Sequence, residues 1–303
     1  MNAIEVTGLT KHYGAIHALG GVDLCVPAGC IFGFLGPNGA GKTTAMRIFV
    51  GLLRATGGAA RVLGLDAWGE SQAIRAQVGY LPGDVRLYEW MRGRRLLSFC
   101  NRARGGGYEA EIVRLTTRFD LDIDRPIRDY SRGMKQKLGL IAALMHRPRL
   151  LILDEPTTAL DPLVQQTLYD ELRATAADGR TVLFSSHTLG EVEQLCDRVA
   201  IIRGGRIIED NTITELRKRA LRRVELRIAH GDWQIVKMPS AWTEVELRDG
   251  TVIGVWTGEV RPLLTWLVGL PVQDVVIGAP DLEELFATYY REGFTVADRG
   301  GRT

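Results

Sequence analysis

The chain has 303 residues, 46% of them hydrophobic and 24% charged, enough for one large domain or a core domain with a smaller companion. A formal net charge of only +2 leaves no global electrostatic case for nucleic acid or an acidic membrane surface. The four cysteines, Cys25, Cys30, Cys100 and Cys196, form no CxxC pair and have no histidine at zinc-site spacing, so they read as small apolar residues in a reducing compartment.

In chain order, the N-terminus MNAIEVTGLTKHYG lacks the apolar stretch of a signal peptide. Nowhere does an uncharged apolar run approach the roughly 20 residues of a spanning helix. The expectation is a cytoplasmic chain that borrows any pore from another protein. IEVTGLTKHY and the apolar residues before Pro27 read as short strands. Cys30 to Gly36 (CIFGFLG) is an almost continuous apolar run, as suits a fully buried parallel strand, and after Lys42 the apolar residues take helical spacing. Arg75 to Arg128 is richer in charge and helix formers, with a flexible Gly105-Gly106-Gly107 joint, and reads as a mostly helical insert. Strands are expected at Arg149–Leu153, Thr181–Phe184 and Val199–Ile202, and helices at Leu163–Thr175 and Leu189–Leu195. This alternation predicts an α/β core with a largely parallel sheet.

The texture changes at RKRALRR (Arg217 to Arg223), a short basic helix or linker. VELRIA, WQIVKM and TEVELRDGTVIGVW then alternate apolar and polar residues, and Asp249-Gly250 marks a hairpin. Leu263–Leu270 and Asp281–Arg291 read as helices. The expected organisation is a core domain over 1–215, its helical insert at about 84–135, and a small α+β domain over 221–303.

Two motifs carry chemistry. Gly36-Pro37-Asn38-Gly39-Ala40-Gly41-Lys42-Thr43 fits GxxxxGK[ST] between a buried strand and a helix. Glycines there let backbone N–H groups curl around phosphate oxygens, and the following helix directs its positive end at the same anion. Lys42 adds a compact charge, and the Thr43 hydroxyl can ligate Mg²⁺. Kinases, GTPases and many motors share this loop. The second motif is LLILDE, an apolar strand ending in Asp154 and Glu155. Asp154 suits Mg²⁺, directly or through water, and Glu155 suits orienting and deprotonating an attacking water.

Tyr130-Ser131-Arg132-Gly133-Met134-Lys135-Gln136 resembles the LSGGQ signature of ABC ATPases, in the form found in drug and antibiotic exporter ATPases. Lys11-His12-Tyr13-Gly14 resembles the A-loop, whose aromatic ring stacks on adenine. Thr158-Ala159-Leu160-Asp161 resembles the D-loop, and His187 the switch histidine that contacts the γ-phosphate. Singly, Tyr13 would read as packing, His187 as a loop histidine and Asp161-Pro162 as a helix start; their joint order over roughly residues 1 to 215 makes the family. The resemblance implies the P-loop NTPase fold of ABC ATPases, with ATP and Mg²⁺ as ligands. It implies nucleotide contacts from Tyr13, Gly36 through Thr44, Ser131, Gly133 and Asp161. Lys42, Thr43, Asp154, Glu155 and His187 would act in cis, and Ser131 and Gly133 in trans on a second ATPase subunit's nucleotide. It further implies a separate multi-span membrane permease, peripheral attachment at the cytoplasmic side of the membrane, and no nucleic acid.

One departure stands out. In the family a glutamine normally closes the segment that here reads Val78-Gly79-Tyr80-Leu81-Pro82, where this chain has Gly83; Asp84 is the candidate substitute. The resemblance of DLEELFATYY (Asp281 to Tyr290) to the ending of exporter ATPases paired with ABC-2 permeases favours export. Alternatives left by the residues are an importer ATPase and a soluble ABC ATPase acting on ribosomes or nucleic acid. The latter types carry two cassettes, long coiled coils or zinc inserts, none of which this sequence shows.

Overall fold

The computed structural model describes residues 1–219, 221–228, 238–248, 250–257 and 259–278. Residues 1–210 form one compact unit, and the described residues from Asn211 onward form a second.

In the first unit, β1 (Asn2–Tyr13) and β2 (Ile16–Pro27) form a long antiparallel hairpin. It extends into a four-stranded sheet of order β2-β1-β4-β5 with β4 (Gly57–Val62) and β5 (Leu65–Asp66). The second sheet has six strands in the order β10-β9-β3-β8-β7-β6. Its members are β3 (Ile31–Leu35), β6 (Val78–Leu81), β7 (Leu150–Leu153), β8 (Thr181–Ser186), β9 (Arg198–Arg203) and β10 (Arg206–Thr212). The pairs β9/β3, β3/β8, β8/β7 and β7/β6 are parallel. Strands β3, β7 and β8 are buried along their whole length, which is why β3, β7 and the Val182–Phe184 stretch of β8 read as apolar runs. Helix α1 (Lys42–Phe49) packs between the two sheets, its Ala45, Met46, Ile48 and Phe49 sharing a core with Ile4, Leu9, Val22, Phe32, Phe34 and Ile152.

The insert comprises α3 (Gly93–Ala103), α4 (Glu109–Arg118), a 3₁₀ turn at Ile127–Asp129 and α5 (Arg132–Leu144). Val78–Leu81, within the stretch expected to be mostly helical, is instead strand β6. It follows the short helix α2 (Ser71–Gln77) and pairs residue for residue with β7. Four buried or half-buried residues in register beside an apolar strand gain more as a strand at the edge of the sheet than as a helix turn. The insert is fastened by charge: Arg114 of α4 donates both terminal guanidinium nitrogens to the carboxylate of Glu171, at 2.8 and 2.7 Å, and Arg118 pairs with it too. Glu171 is a buried residue of α6 (Pro162–Ala177).

The second unit opens on α8 (Ile213–Arg219), and β11 (Leu221–Ile228) begins two residues later. The basic stretch Arg217–Arg223 is thus split between a helix end and a strand start. With β12 (Trp242–Arg248), β13 (Thr251–Thr257) and β14 (Val272–Ile277), β11 forms an antiparallel sheet of order β12-β13-β11-β14. Leu263 and Leu267 of α9 (Val260–Val268) pack on Val224, Leu226, Trp242 and Trp256. Of the sequence expectations here, most of WQIVKM, Asp249 of the hairpin and Asp281–Arg291 lie outside the described residues. Among the described residues no helix is long and apolar enough to cross a membrane.

Candidate functional site

Strand order assembles the site. The phosphate loop follows β3, the acidic pair follows β7, and β8 lies between them, delivering Ser185, Ser186 and His187 to the same edge. All three strands are parallel, so all three present their C-terminal ends, the side on which open α/β sheets bind ligands.

The loop is held from outside. The Gly36 N–H donates to the carbonyl of Ser186 at 3.2 Å, and the carbonyl of Ala40 accepts from Gly205 N–H at 3.0 Å. Gly41, the N-cap of α1, has φ 111°, and a Cβ there would lie 2.7 Å from the carbonyl of Ala18, so only glycine fits. No side chain caps α1, which leaves its first N–H groups and their positive end for an anion. Lys42 is 5% exposed and donates from Nζ to the carbonyls of Gly36 at 2.6 Å and Pro37 at 3.3 Å, so the loop already curls around a cation. Open space above Gly39, an uncapped helix end and a buried lysine together fit a nucleotide's phosphates.

Around that lysine the acidic residues are in place. Thr43 donates its hydroxyl to Asp154 Oδ2 at 2.6 Å, and Ser185 donates to Asp154 Oδ1 at 2.7 Å. Glu155 approaches Lys42 Nζ to 3.4 Å with one carboxylate oxygen and His187 Nδ1 to 3.3 Å with the other. Thr43 and Asp154 bring two hard oxygens to one point, and among the described residues no cluster of three His, Cys, Asp or Glu exists. A cation there would complete its shell with water and phosphate, which is the habit of Mg²⁺; the donor set fits that ion.

Glu155 lies in the left-handed region at φ 48°, a conformation uncommon for a side-chain-bearing residue and associated with functional sites. Two residues that the sequence reading gave no role hold it there. The Glu155 N–H donates to Ser185 Oγ at 2.9 Å, and the Gln136 amide donates to the carbonyls of Pro156 at 3.0 Å and Glu155 at 3.4 Å. The available signal for Ser185 was its position at the end of a buried apolar strand, where a hydroxyl needs a partner.

The remaining sequence-predicted residues lie elsewhere. Ser131 caps α5 by accepting from Met134 N–H at 3.2 Å. A Cβ on Gly133 would meet the carbonyl of Ala159 at 2.6 Å, so the signature packs against the chain's own D-loop. Asp161 accepts from the N–H groups of Leu163 and Val164 as the N-cap of α6, with Pro162 at the first helical position. Tyr13 is 46% exposed at the end of β1, with Lys11 Nζ 5.1 Å from its ring centroid. Asn38 is exposed, and Thr44 stands half-buried one residue beyond Thr43. Asp84 is spent elsewhere, accepting from Arg86 Nε at 2.7 Å, both groups largely exposed. A Cβ at Gly83 would stand 3.2 Å from Asp154 Oδ2; the backbone passes too close to that carboxylate to seat a larger residue without adjustment.

The chain is similar to known proteins. The family model for ABC transporters matches residues 19–158. The daunorubicin/doxorubicin resistance ATP-binding protein DrrA of Streptomyces peucetius is 40% identical over 220 residues, covering 71% of this chain and 67% of that one. The bacitracin transport ATP-binding protein BcrA of Enterococcus faecalis is 34% identical over 254 residues, 82% of each chain. A solved ATP-binding subunit of an ABC transporter is 32% identical, with TM-score 0.66 over 71% of this chain and 92% of its own. This chain belongs to the ATP-binding proteins of the ABC transporter family and is an ABC ATPase.

Proposed function

We propose that this chain is the ATP-hydrolysing subunit of an exporter, working as one half of a cassette dimer beneath a separate multi-span membrane permease. The observation that carries the hydrolytic part is the bracketing of Glu155 by Lys42 and His187 beside the Thr43–Asp154 pair. In this reading Gly36 through Thr44 wrap the phosphates of ATP, Lys42 neutralises the β- and γ-oxygens, and the exposed face of Tyr13 takes the adenine. Thr43 and Asp154 hold Mg²⁺, which draws charge from the phosphate oxygens when bound. Glu155 accepts the proton of the attacking water as the water oxygen bonds to the γ-phosphorus and the bond to ADP breaks. His187 contacts the γ-phosphate.

The dimer is supported by the exposure of Ser131 at the start of α5, from which Ser131 and Gly133 would serve a second subunit's nucleotide, with Asp161 contributing beside them. Export is supported by the names of the relatives, which include a Nod factor export ATP-binding protein of Rhizobium meliloti, 37% identical over 213 residues. Attachment to a permease, at the cytoplasmic side of the membrane, follows from that transport role. The helical insert at about 84–135 would receive the permease's cytoplasmic helix. We take 1–215 as the nucleotide-binding domain and 221–303 as an accessory domain, a division supported by the compact units meeting at Asp210.

The test is Glu155→Gln protein with ATP and Mg²⁺. It should bind nucleotide, hydrolyse it poorly and migrate as a dimer on gel filtration. Wild-type turnover would remove Glu155 as the base, and a monomer under saturating ATP would remove the sandwich.

A further inference from the structure

A second cavity lies away from the phosphate loop, among α2, the joint between α3 and α4, and the loop from His146 to Arg149 that leads into β7. Its volume is ≈ 650 Å³, in the range of small-molecule sites. Arg149 immediately precedes β7 and Asp154 immediately follows it, so the cavity and the acidic pair stand at opposite ends of one strand, roughly 16 Å apart at a strand's rise per residue.

Four arginines line the cavity and no carboxylate does. Arg147 has an acidic partner outside it, Asp178, at 2.9 Å. The other three meet neutral acceptors. Arg104 donates to the carbonyls of Arg75 and Val78 at 3.3 Å each, Arg75 to those of Val50 and Gly51 at 3.2 and 3.3 Å, and Arg149 to the Gln77 side-chain carbonyl at 3.1 Å. Three arginines whose hydrogen bonds go to neutral acceptors therefore line a concave surface that carries no carboxylate, which favours an anion there.

His146 is the independent observation. It lines the cavity and is 8% exposed; its ring interacts with the Val78 backbone, and at least one ring nitrogen is left without a hydrogen bond. Buried polar atoms without a partner are rare and call for one. Burial first, then the neighbouring Arg104 guanidinium, push the imidazole down to about 4, against a hydrogen bond to the Val78 backbone that raises it. At neutral pH the ring therefore offers one N–H donor and one acceptor and no charge of its own. Tyr108 stands edge-on to it, ring centroids 6.4 Å apart.

We propose that this cavity binds a small phosphate-bearing anion, its oxygens taken by the guanidinium groups of Arg104 and Arg149. Guanidinium groups present paired donors that match phosphate oxygens, and the charge-assisted bonds they form are the strong ones. The phosphate can come from a soluble metabolite or from a phospholipid headgroup, and the experiment separates the two.

The probe is inorganic pyrophosphate, titrated by calorimetry at low ionic strength into Lys42→Ala protein, in which the phosphate loop has lost its lysine. Saturable binding is expected, and adding Arg149→Glu, at an exposed position, should weaken it at least tenfold. Arg104→Gln should weaken it as well. Arg149→Glu alone should leave ATP hydrolysis unchanged, which shows that the variant folds. Flotation of the same proteins with vesicles containing phosphatidic acid, competed by pyrophosphate, assigns the anion to lipid; pyrophosphate binding without flotation assigns it to a soluble compound. Absence of both, or binding that neither arginine substitution alters, overturns the site.

Discussion

Glu155 is the residue on which the proposed chemistry converges, and its position is determined from three directions. Ser185 holds its N–H, Gln136 holds its carbonyl, and Lys42 and His187 face its carboxylate. Replacing Glu155 by Gln removes the proton acceptor and keeps the shape, so kcat should fall roughly 10²- to 10⁴-fold with nucleotide affinity retained; single-turnover hydrolysis and nucleotide titration check this. Ser185→Ala is subtler. It strips one hydrogen bond from buried Asp154 and the one on the Glu155 N–H, a loss of about 1–3 kcal/mol. If that loss falls on the orientation of the two acids, kcat drops about tenfold while KM for ATP holds within twofold, and Ser185→Thr, which keeps a hydroxyl, recovers most of it. An equal loss in all variants, tracked by melting temperature, would reduce Ser185 to packing. Lys42, Thr43, Asp154 and Glu155 were legible in the sequence because their spacing and flanking strand encode their function locally. Ser185 was not, because its role depends on β8 lying beside β7, and strand order is a property of the fold rather than of any short segment.

At the scale of elements, the runs that read correctly are those that nothing nearby contradicts. Strands β3 and β7 are buried along their whole length and carry no polar side chain, and the buried β8 is apolar through Val182, Leu183 and Phe184. Strand β6 was swallowed by a helical reading because only four residues separate α2 from the Pro82 turn. Its identity comes from pairing with β7. Strand β4 (GGAARV) hid for another reason: glycine and alanine carry little strand signal, and pairing with β1 makes it a strand. The join of insert to core was equally invisible, since Arg114 and Glu171 are 57 residues apart. Glu171 is buried and satisfied by two half-exposed arginines. Glu171→Gln should therefore destabilise the protein by about 2 kcal/mol, less than a fully buried pair because solvent screens the arginines. Urea unfolding measures it, and α4 should lose hydrogen-exchange protection before β7 does.

For the whole molecule, stability carries a histidine signature. His146 titrates at about 4 in the folded protein, against an ordinary value near 6.5. Above pH 6.5 both folded and unfolded chains hold the ring neutral, and its contribution is fully present. As pH falls from 6.5 toward 4 the unfolded chain takes up a proton that the folded one refuses, so stability declines across that window, by roughly 3 kcal/mol at most. Urea midpoints between pH 7.5 and 4 should show this decline in the native chain and a shallower one in His146→Phe.

The proposed transport role requires the ATP-hydrolysing core to hold a partner in the membrane. Tagged Glu155→Gln protein should be expressed in its native cell, loaded with ATP and Mg²⁺, and recovered from gently solubilised membranes. A multi-span membrane protein in stoichiometric yield is the predicted result. Recovery with ribosomes or nucleic acid and no membrane partner would contradict the transport role while leaving the ATPase site intact.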